Sequence, residues 1–335
     1  MKLSFLTLFA GAALAAWAAP TLAQEIQERV IRFGHLNNTD HPVSMGVKRF
    51  AELVAAKSGG KMKIAMFPGG VLGNDQANVS ALQGGTLEMV VLNSGILASQ
   101  AKEFGVFDFP FMFATPQEAD AVVDGPFGKM MHAKLEAKGI VGLAYWELGF
   151  RSITNSRRPI NKVDDIAGLK LRVIPNAINV DWVKALGANP TPLPFPEVYA
   201  ALDQKAIDGQ ENPATVIAAN KFYEVQKYLV LSNHQYNPQS LIFSKKVWDT
   251  LSAGDRKILA DAGVEAGKYQ RQVAREAAGT ALDTLKKNGM QVTELAPAEL
   301  AKFREAMKPV IAKHSEVVGA DTVKALEAEL AKVRK

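Results

Sequence analysis

Apolar and polar positions alternate from Val30 to Leu36 and stop at the turn-forming run Asn37-Asn38-Thr39-Asp40, which predicts a strand ending in a loop. After Pro42 the period changes: Met45, Phe50, Leu53 and Val54 fall on one face of a helix that Ser58-Gly59-Gly60 ends. Alternation returns over Lys61 to Phe67 and stops at Pro68-Gly69-Gly70. A helix from Asp75 to Leu82, an apolar strand from Leu87 to Leu92 and a loop at Asn93-Ser94-Gly95 follow, giving the β-α-β-α-β order of an open α/β layer. Further strands are predicted at Val141–Trp146 and Leu169–Val173, then a helix over Ala177–Leu186 and a Pro-rich run from Asn189 to Pro196. Ile258, Leu259, Val264, Tyr269, Val273, Ala277, Leu282 and Leu285 recur at helical spacing, so Ala253–Asn288 reads as one or two long helices. Pro297–Lys335 reads as mostly helical with one charged, solvated face. Two α/β lobes joined by returning strands fit this order better than one continuous sheet.

The first residues are of another kind. Lys2 gives a short positive start, Leu3 to Ala19 is almost wholly apolar, and Thr21-Leu22-Ala23 ends in a small residue suited to cleavage. Met1–Ala23 is therefore expected to be a removed signal peptide; small residues and Pro20 close the run where a permanent anchor would need roughly 20 apolar residues and flanking charges. Every later apolar run is interrupted by charge, Gly or Pro, so the mature chain is expected to be soluble. With 335 residues, 48% of them hydrophobic, two domains are the default. Cysteine is absent, which excludes disulfides and thiolate metal sites. The net charge of +5 is spread among interleaved acidic residues without a basic stripe, so no nucleic-acid partner is expected.

Catalytic signatures are missing. There is no phosphate loop, no Gly-x-Ser-x-Gly elbow and no His-Glu-x-x-His, and the five histidines (His35, His41, His132, His234, His314) lack metal-ligand spacing. Two arginines stand out instead at predicted strand ends: Arg151 after Trp146-Glu147-Leu148-Gly149-Phe150, and Arg172 in Lys170-Leu171-Arg172-Val173-Ile174-Pro175-Asn176. Ligands of open α/β sheets bind beyond the carboxyl ends of strands, and a guanidinium fork matches a carboxylate with two parallel hydrogen bonds. Each arginine taken alone also fits a surface ion pair. Ile207-Asp208-Gly209-Gln210-Glu211-Asn212-Pro213 reads as a loop opened by the Asp-Gly turn, with Asn212 able to donate to a ligand oxygen. Phe195, in its Pro-rich setting, can offer a rigid apolar wall.

Several segments resemble, in order and spacing, the substrate-binding proteins of tripartite ATP-independent periplasmic (TRAP) transporters, often labelled dicarboxylate-binding. They include Phe67-Pro68 through Leu72-Gly73-Asn74-Asp75, Phe109-Pro110-Phe111, Phe150-Arg151-Ser152-Ile153-Thr154-Asn155, Gly168-Leu169-Lys170-Leu171-Arg172-Val173, Pro196 to Leu202, Asp208-Gly209-Gln210-Glu211-Asn212-Pro213 and Phe222 to Tyr228. The likeness covers essentially the whole mature chain; the strand-Arg and Asp-Gly-Gln-Glu-Asn-Pro segments are its specific part. It implies an α/β, two-lobed periplasmic binding protein with shared strands and a long lobe-spanning helix, with residues 24–149 and 238–278 in lobe 1 and residues 150–237 and 279–335 in lobe 2. By resemblance Arg172 pairs with the ligand carboxylate, with Arg151, Asn212, Phe195 and Asn93 beside it and Asn37, Gln76, Trp146, Asn176 and Tyr236 as weaker candidates. The implied role is capture of a small organic acid by hinge closure in the periplasm and delivery to TRAP membrane permease subunits, without cofactor, metal or covalent chemistry. Leu148 and Phe150, with Phe107, Phe109 and Phe111, permit an apolar wall, while Asn93, Asn176, Gln76 and Asn212 can read hydroxyls. A hydroxylated monocarboxylate such as a uronate or aldonate is the first choice; an apolar oxo or aromatic acid and a four-carbon dicarboxylate stay open. A secreted hydrolase and the binding protein of another importer class are the rival readings.

Overall fold

The computed structural model describes residues 26–334, so the expected signal peptide lies outside the described residues. Nine strands form one mixed sheet: β1 (Arg29–Gly34), β2 (Met62–Phe67), β3 (Met89–Asn93), β4 (Ile140–Asn155), β5 (Lys170–Val173), β6 (Asn189–Pro192), β7 (Gly209–Asn212), β8 (Tyr228–Ser244) and β9 (Gln291–Glu294). Their order is β2-β1-β3-β8-β4-β7-β5-β6, with β9 added to β8. The helices are α1 (Pro42–Lys57), α2 (Asp75–Gly84), α3 (Pro116–Asp124), α4 (Pro126–Glu136), α5 (Ala177–Ala185), α6 (Val198–Asp203), α7 (Ala214–Ala219), α8 (Lys245–Trp248), α9 (Ala253–Lys287), α10 (Pro297–Val318) and α11 (Ala320–Val333).

The expected two lobes and returning strands are present, yet a single hydrogen-bonded network runs through both. The strand expected at Val141–Trp146 is the first half of the 16-residue β4, which pairs antiparallel with β8 from Ile140 opposite Ser244 to Asn155 opposite Tyr228. Sequence periodicity missed β8 because every residue from His234 to Ser244 is buried, which removes the polar face that alternation needs. β3 flanks β8 over Gln239–Phe243, whereas β7 flanks β4 over Ser152–Asn155, so the two lobes hang on opposite ends of one ladder.

The segment expected as a loop at Ile207–Pro213 is instead the buried strand β7, inserted between β4 and β5. A Cβ at Gly209 would lie 2.1 Å from the Thr154 carbonyl oxygen, so the Asp-Gly pair marks close backbone approach rather than a turn. The aromatic wall expected from Phe107, Phe109 and Phe111 is core: the first two are buried, and Phe111 packs edge-on against Phe303 of α10 at 5.1 Å. All five histidines are packed inside, and no metal-binding cluster occurs among the described residues. No helix among them is long and apolar enough to cross a membrane.

The expected long helical stretch is one helix, α9, of 35 residues; at 1.5 Å per residue it is about 52 Å long. Ser252 and Asp255 close its start with a capping box. Leu259, Ala262 and Ala266 join the core of the first lobe, and Leu282 and Leu285 pack with Phe222 and Leu229 in the second. The C-terminal stretch divides at Gly319 into α10, against α5 and residues 102–108, and α11, against α3 and α4.

Gly46 of α1 faces α9 so closely that a Cβ would lie 2.6 Å from Gln270 Cγ and 2.9 Å from the Trp146 ring. Gly279, also helical, faces open space. Alanine adds up to about 1 kcal/mol of helix propensity at either site, but overpacking at Gly46 costs about 1–3 kcal/mol. Gly46→Ala is therefore expected to lower the urea midpoint and Gly279→Ala to raise it.

Candidate functional site

The strand polarity brings several carboxyl ends to one cleft. From the first lobe come Leu36 and Asn37 after β1, Asn93 at the end of β3, and Asn74, Asp75 and Gln76 at the start of α2. The second supplies Arg172, Ile174 and Pro175 from β5 and its exit, then Phe195, Asn212 and Val216. Leu148, Arg151 and Gln239 of the crossing strands form the junction between them. The space between these walls, open mouth included, is about 550 Å³.

Arg172 is almost wholly buried. Its Nε donates to the Leu193 carbonyl at 2.8 Å, and its guanidinium carbon stands 5.9 Å from the Phe195 ring centroid. Neither terminal nitrogen has a protein acceptor among the described residues, and no carboxylate lies within ion-pair distance of the group. Burial lowers its pKa to about 10, a trend that the charges of Glu211 and Asp75 oppose and that of Arg151 assists. A buried cation with a free fork facing a cleft is a carboxylate receptor in want of its anion.

Arg151 is engaged differently. Its Nε and Nη2 form a forked ion pair with the Glu211 carboxylate, Nη2 also donates to the Glu211 carbonyl at 2.5 Å, and Nη1 donates to Asn237 Oδ1 at 2.9 Å. Four of the five guanidinium N–H groups are thus spent within the protein, so Arg151 offers a ligand one hydrogen bond at most. Burial alone would raise the Glu211 carboxyl, but Arg151 and His234 outweigh it and hold the group at about 2.

The remaining polar lining is mostly amide. Asn212 Nδ2 donates to Gln210 Oε1 at 2.6 Å, and Gln210 is held in turn by Thr154 at 2.9 Å. Asn93 accepts a long contact from Gln239 at 3.5 Å. Seven of the ten residues expected at the site line this cleft: Arg172, Arg151, Asn212, Phe195, Asn93, Asn37 and Gln76.

The other three do not. Trp146 is a core residue between β4 and α9, donating to the Gly263 carbonyl at 3.1 Å. Asn176 caps α5 and bonds the buried Asp108 carboxylate. Tyr236 is packed against Phe150 and Phe113, with ring centroids 5.0 and 5.8 Å away. Burial for Trp146 and Tyr236, and capping with a bond to Asp108 for Asn176, took these side chains away from the cleft.

Sequence reasoning missed Asp75, Asn74 and Gln239. Asn74 and Asp75 close a segment of the family resemblance and Asp75 opens a predicted helix, with no ligand role read for either, and Gln239 lies in the strand whose alternation was erased. The half-buried Asp75 carboxyl faces Arg172 without touching it and has no hydrogen-bond donor among the described residues. Burial raises it to about 7 even though Arg172 pulls it down.

Glu211→Gln leaves Arg151 buried without its counter-charge, a change that costs about 3–5 kcal/mol. We expect that loss in urea unfolding at pH 7. The folded-state pKa of about 2 lies below the ordinary value of 4.5, so the stabilisation is full above pH 4.5 and is lost as pH falls towards 2. The deficit of the variant should accordingly shrink across that window.

Residues 33–316 match the family described as bacterial extracellular solute-binding protein, family 7. The chain is 37% identical over 281 residues to the 2,3-diketo-L-gulonate-binding periplasmic protein YiaO of Escherichia coli K12, covering 84% of each chain. Its fold is similar to that of the sugar acid binding protein DctPAm from Advenella mimigardefordensis strain DPN7T in complex with galactonate, with a TM-score of 0.90, 43% identity and coverage of 92% of this chain and 99% of that one. It is also similar to a TRAP periplasmic solute-binding protein from Ochrobactrum anthropi with its C-terminus bound in the ligand-binding pocket, with a TM-score of 0.83, 52% identity and coverage of 92% and 97%. These relatives are solute-binding transport proteins rather than enzymes, and the architecture described above accords with theirs. The chain belongs to the bacterial extracellular solute-binding proteins of family 7, the binding components of TRAP transporters.

Proposed function

We propose that the protein captures a hydroxylated monocarboxylate, a sugar acid of the aldonate or uronate kind, in the periplasm and delivers it to TRAP membrane permease subunits. The observation that carries this reading is the buried, unpaired fork of Arg172 in a cleft otherwise lined by amides. The carboxylate takes two charge-assisted hydrogen bonds from Arg172 and lies beside the Phe195 ring, while Asn212, Asn93, Asn37 and Gln76 meet the hydroxyls. Arg151, spent on Glu211, chiefly holds the crossing strands in register beneath the ligand. The galactonate complex of one relative and the 2,3-diketo-L-gulonate specificity in the name of another support a polyhydroxy acid.

In this reading Met1–Ala23 is removed on export. The lobes divide where β4 and β8 cross, at 149/150 and 237/238, with residues 24–149 and 238–278 moving against residues 150–237 and 279–335. Ligand contacts from both sides favour closure by their difference in affinity between closed and open forms.

Thermal unfolding of the mature chain, Gln24 to Lys335, against aldonates, uronates, oxo acids, aromatic acids and four-carbon dicarboxylates tests the proposal. Ligand at a hundred times its dissociation constant adds about 2.7 kcal/mol to stability, and a clear rise in transition temperature is expected with a sugar acid. Arg172→Ala should weaken that acid on the order of tenfold or more, and Arg172→Lys should restore it only in part because an ammonium lacks the fork. A shift with a neutral solute alone, unchanged in Arg172→Ala, would sink the assignment. A shift confined to apolar acids or dicarboxylates would replace the sugar acid by that class.

A further inference from the structure

Three charged side chains line the cleft: Arg151, Arg172 and Asp75. Glu211 neutralises the first. One cation therefore remains uncompensated on the second-lobe side, and one carboxyl stands across from it on the first-lobe side, beyond ion-pair distance but within its field. Asp75 is fixed in place as the first residue of α2, directly after the Asn74 cap. Its carboxyl has no hydrogen-bond donor from the protein among the described residues, an unusual state for a half-buried acid.

The charge count discriminates among acids. A monocarboxylate at Arg172 forms a neutral pair and leaves its far end near Asp75, where each hydroxyl can donate a charge-assisted hydrogen bond. An apolar far end would leave that acceptor desolvated and unbonded, which costs affinity. A second carboxylate would meet Asp75 with no free cation left to neutralise it, so repulsion rejects it. We infer that Asp75 is the specificity-determining residue of the cleft, accepting the hydroxyls of a monocarboxylate held at Arg172 and excluding a second carboxylate. The inference rests on the capture function proposed above and names the group that sets its ligand class. Burial raises the Asp75 carboxyl to about 7, so the exclusion of a second carboxylate is full above that pH, where the group is ionised, and relaxes below it; titration at about pH 8 reads the ionised form.

The test is calorimetric titration of wild type, Asp75→Asn, Asp75→Glu and Arg172→Ala with galactonate and gluconate, and with galactarate and glucarate, in which a carboxylate replaces the terminal hydroxymethyl group. Wild type should prefer an aldonate to its diacid, on the order of a hundredfold. Asp75→Asn, which keeps the shape and removes the charge, should narrow that preference on the order of tenfold or more by weakening the aldonate and admitting the diacid. Asp75→Glu retains the charge and should still reject the diacid. The unliganded transition temperature of the two Asp75 variants, not expected to fall because Asp75 makes no bond within the protein, separates folding from recognition. Aldonate binding that depends on Arg172 while Asp75→Asn leaves the preference within twofold overturns the role of Asp75 and leaves capture standing. Wild-type binding of the diacid as tight as that of the aldonate does the same. Failure of both aldonates to bind, together with failure of every sugar acid to raise the transition temperature, overturns the two readings together.

Discussion

The antiparallel pairing of β4 with β8 is the constraint from which the rest follows. Strands of 16 and 17 residues run side by side through both lobes, and each lobe adds its own strands to a different end of that ladder. The carboxyl ends of β1, β3 and β5 consequently converge on its middle, where Leu148, Arg151 and Gln239 stand. The ladder is not uniform. Its register shifts between Gly142 and Ala144, between Glu147 and Gly149, and between Arg151 and Ile153, the last two at the cleft. Hydrogen bonds are already interrupted at such bulges, so a change of angle between lobes costs least there. α9 braces the same region: Gln270 exchanges two hydrogen bonds with the Glu147 backbone, at 2.8 and 2.7 Å, and Arg275 joins the Glu147 carboxylate to Asp120.

Electrostatics at the junction divides into groups whose charge is satisfied and groups whose charge is held open. Arg151 and Glu211 satisfy each other, and Asn237 links that pair to Asp108, which also takes donors from Asn176 and Asn179. Burial raises the Asp108 carboxyl to about 6 despite the nearby charge of Arg151 and those amide bonds. This network is structural and self-contained. Arg172 and Asp75 stand outside it, each buried enough to feel desolvation and each lacking a bonded counter-charge. Two opposed charges left open at a cleft are where sequence and fold yield to ligand chemistry.

Much of this was legible in the chain. The first β-α-β-α-β layer, the Ala253–Asn288 helix and the two arginines all had local signals: a period, a cap, a strand end. What escaped shares a physical cause. β8 and β7 are buried in the middle of the sheet, so burial and ladder hydrogen bonds overrode both alternation and the turn propensity of Asp208-Gly209. Trp146, Asn176 and Tyr236 sit within a few residues of the cleft in sequence, but side-chain direction from a strand or a cap decides which cavity a residue faces, and spacing alone does not carry it. Asp75 was hidden for the opposite reason, since an acid in the first turn of a helix already has a local role and carries no sequence signal for a second.

The energy needed for capture can be set against these groups. Moving a two-state equilibrium from 1:99 to 99:1 takes about 5.5 kcal/mol of differential affinity. Hydrogen bonds to charged groups contribute about 1.5–3 kcal/mol each, so the two arms of Arg172 supply about 3–6 kcal/mol if both engage only in the closed form. A closed cleft without an acid would keep Arg172 desolvated with neither ion pair nor acceptor for its terminal nitrogens. The same side chain thus penalises empty closure and rewards liganded closure. Arg151, whose charge Glu211 already satisfies without ligand, carries no such penalty for empty closure. On the proposed mechanism the coupling between binding and closure therefore resides in Arg172 rather than in the more elaborately bonded arginine beside it.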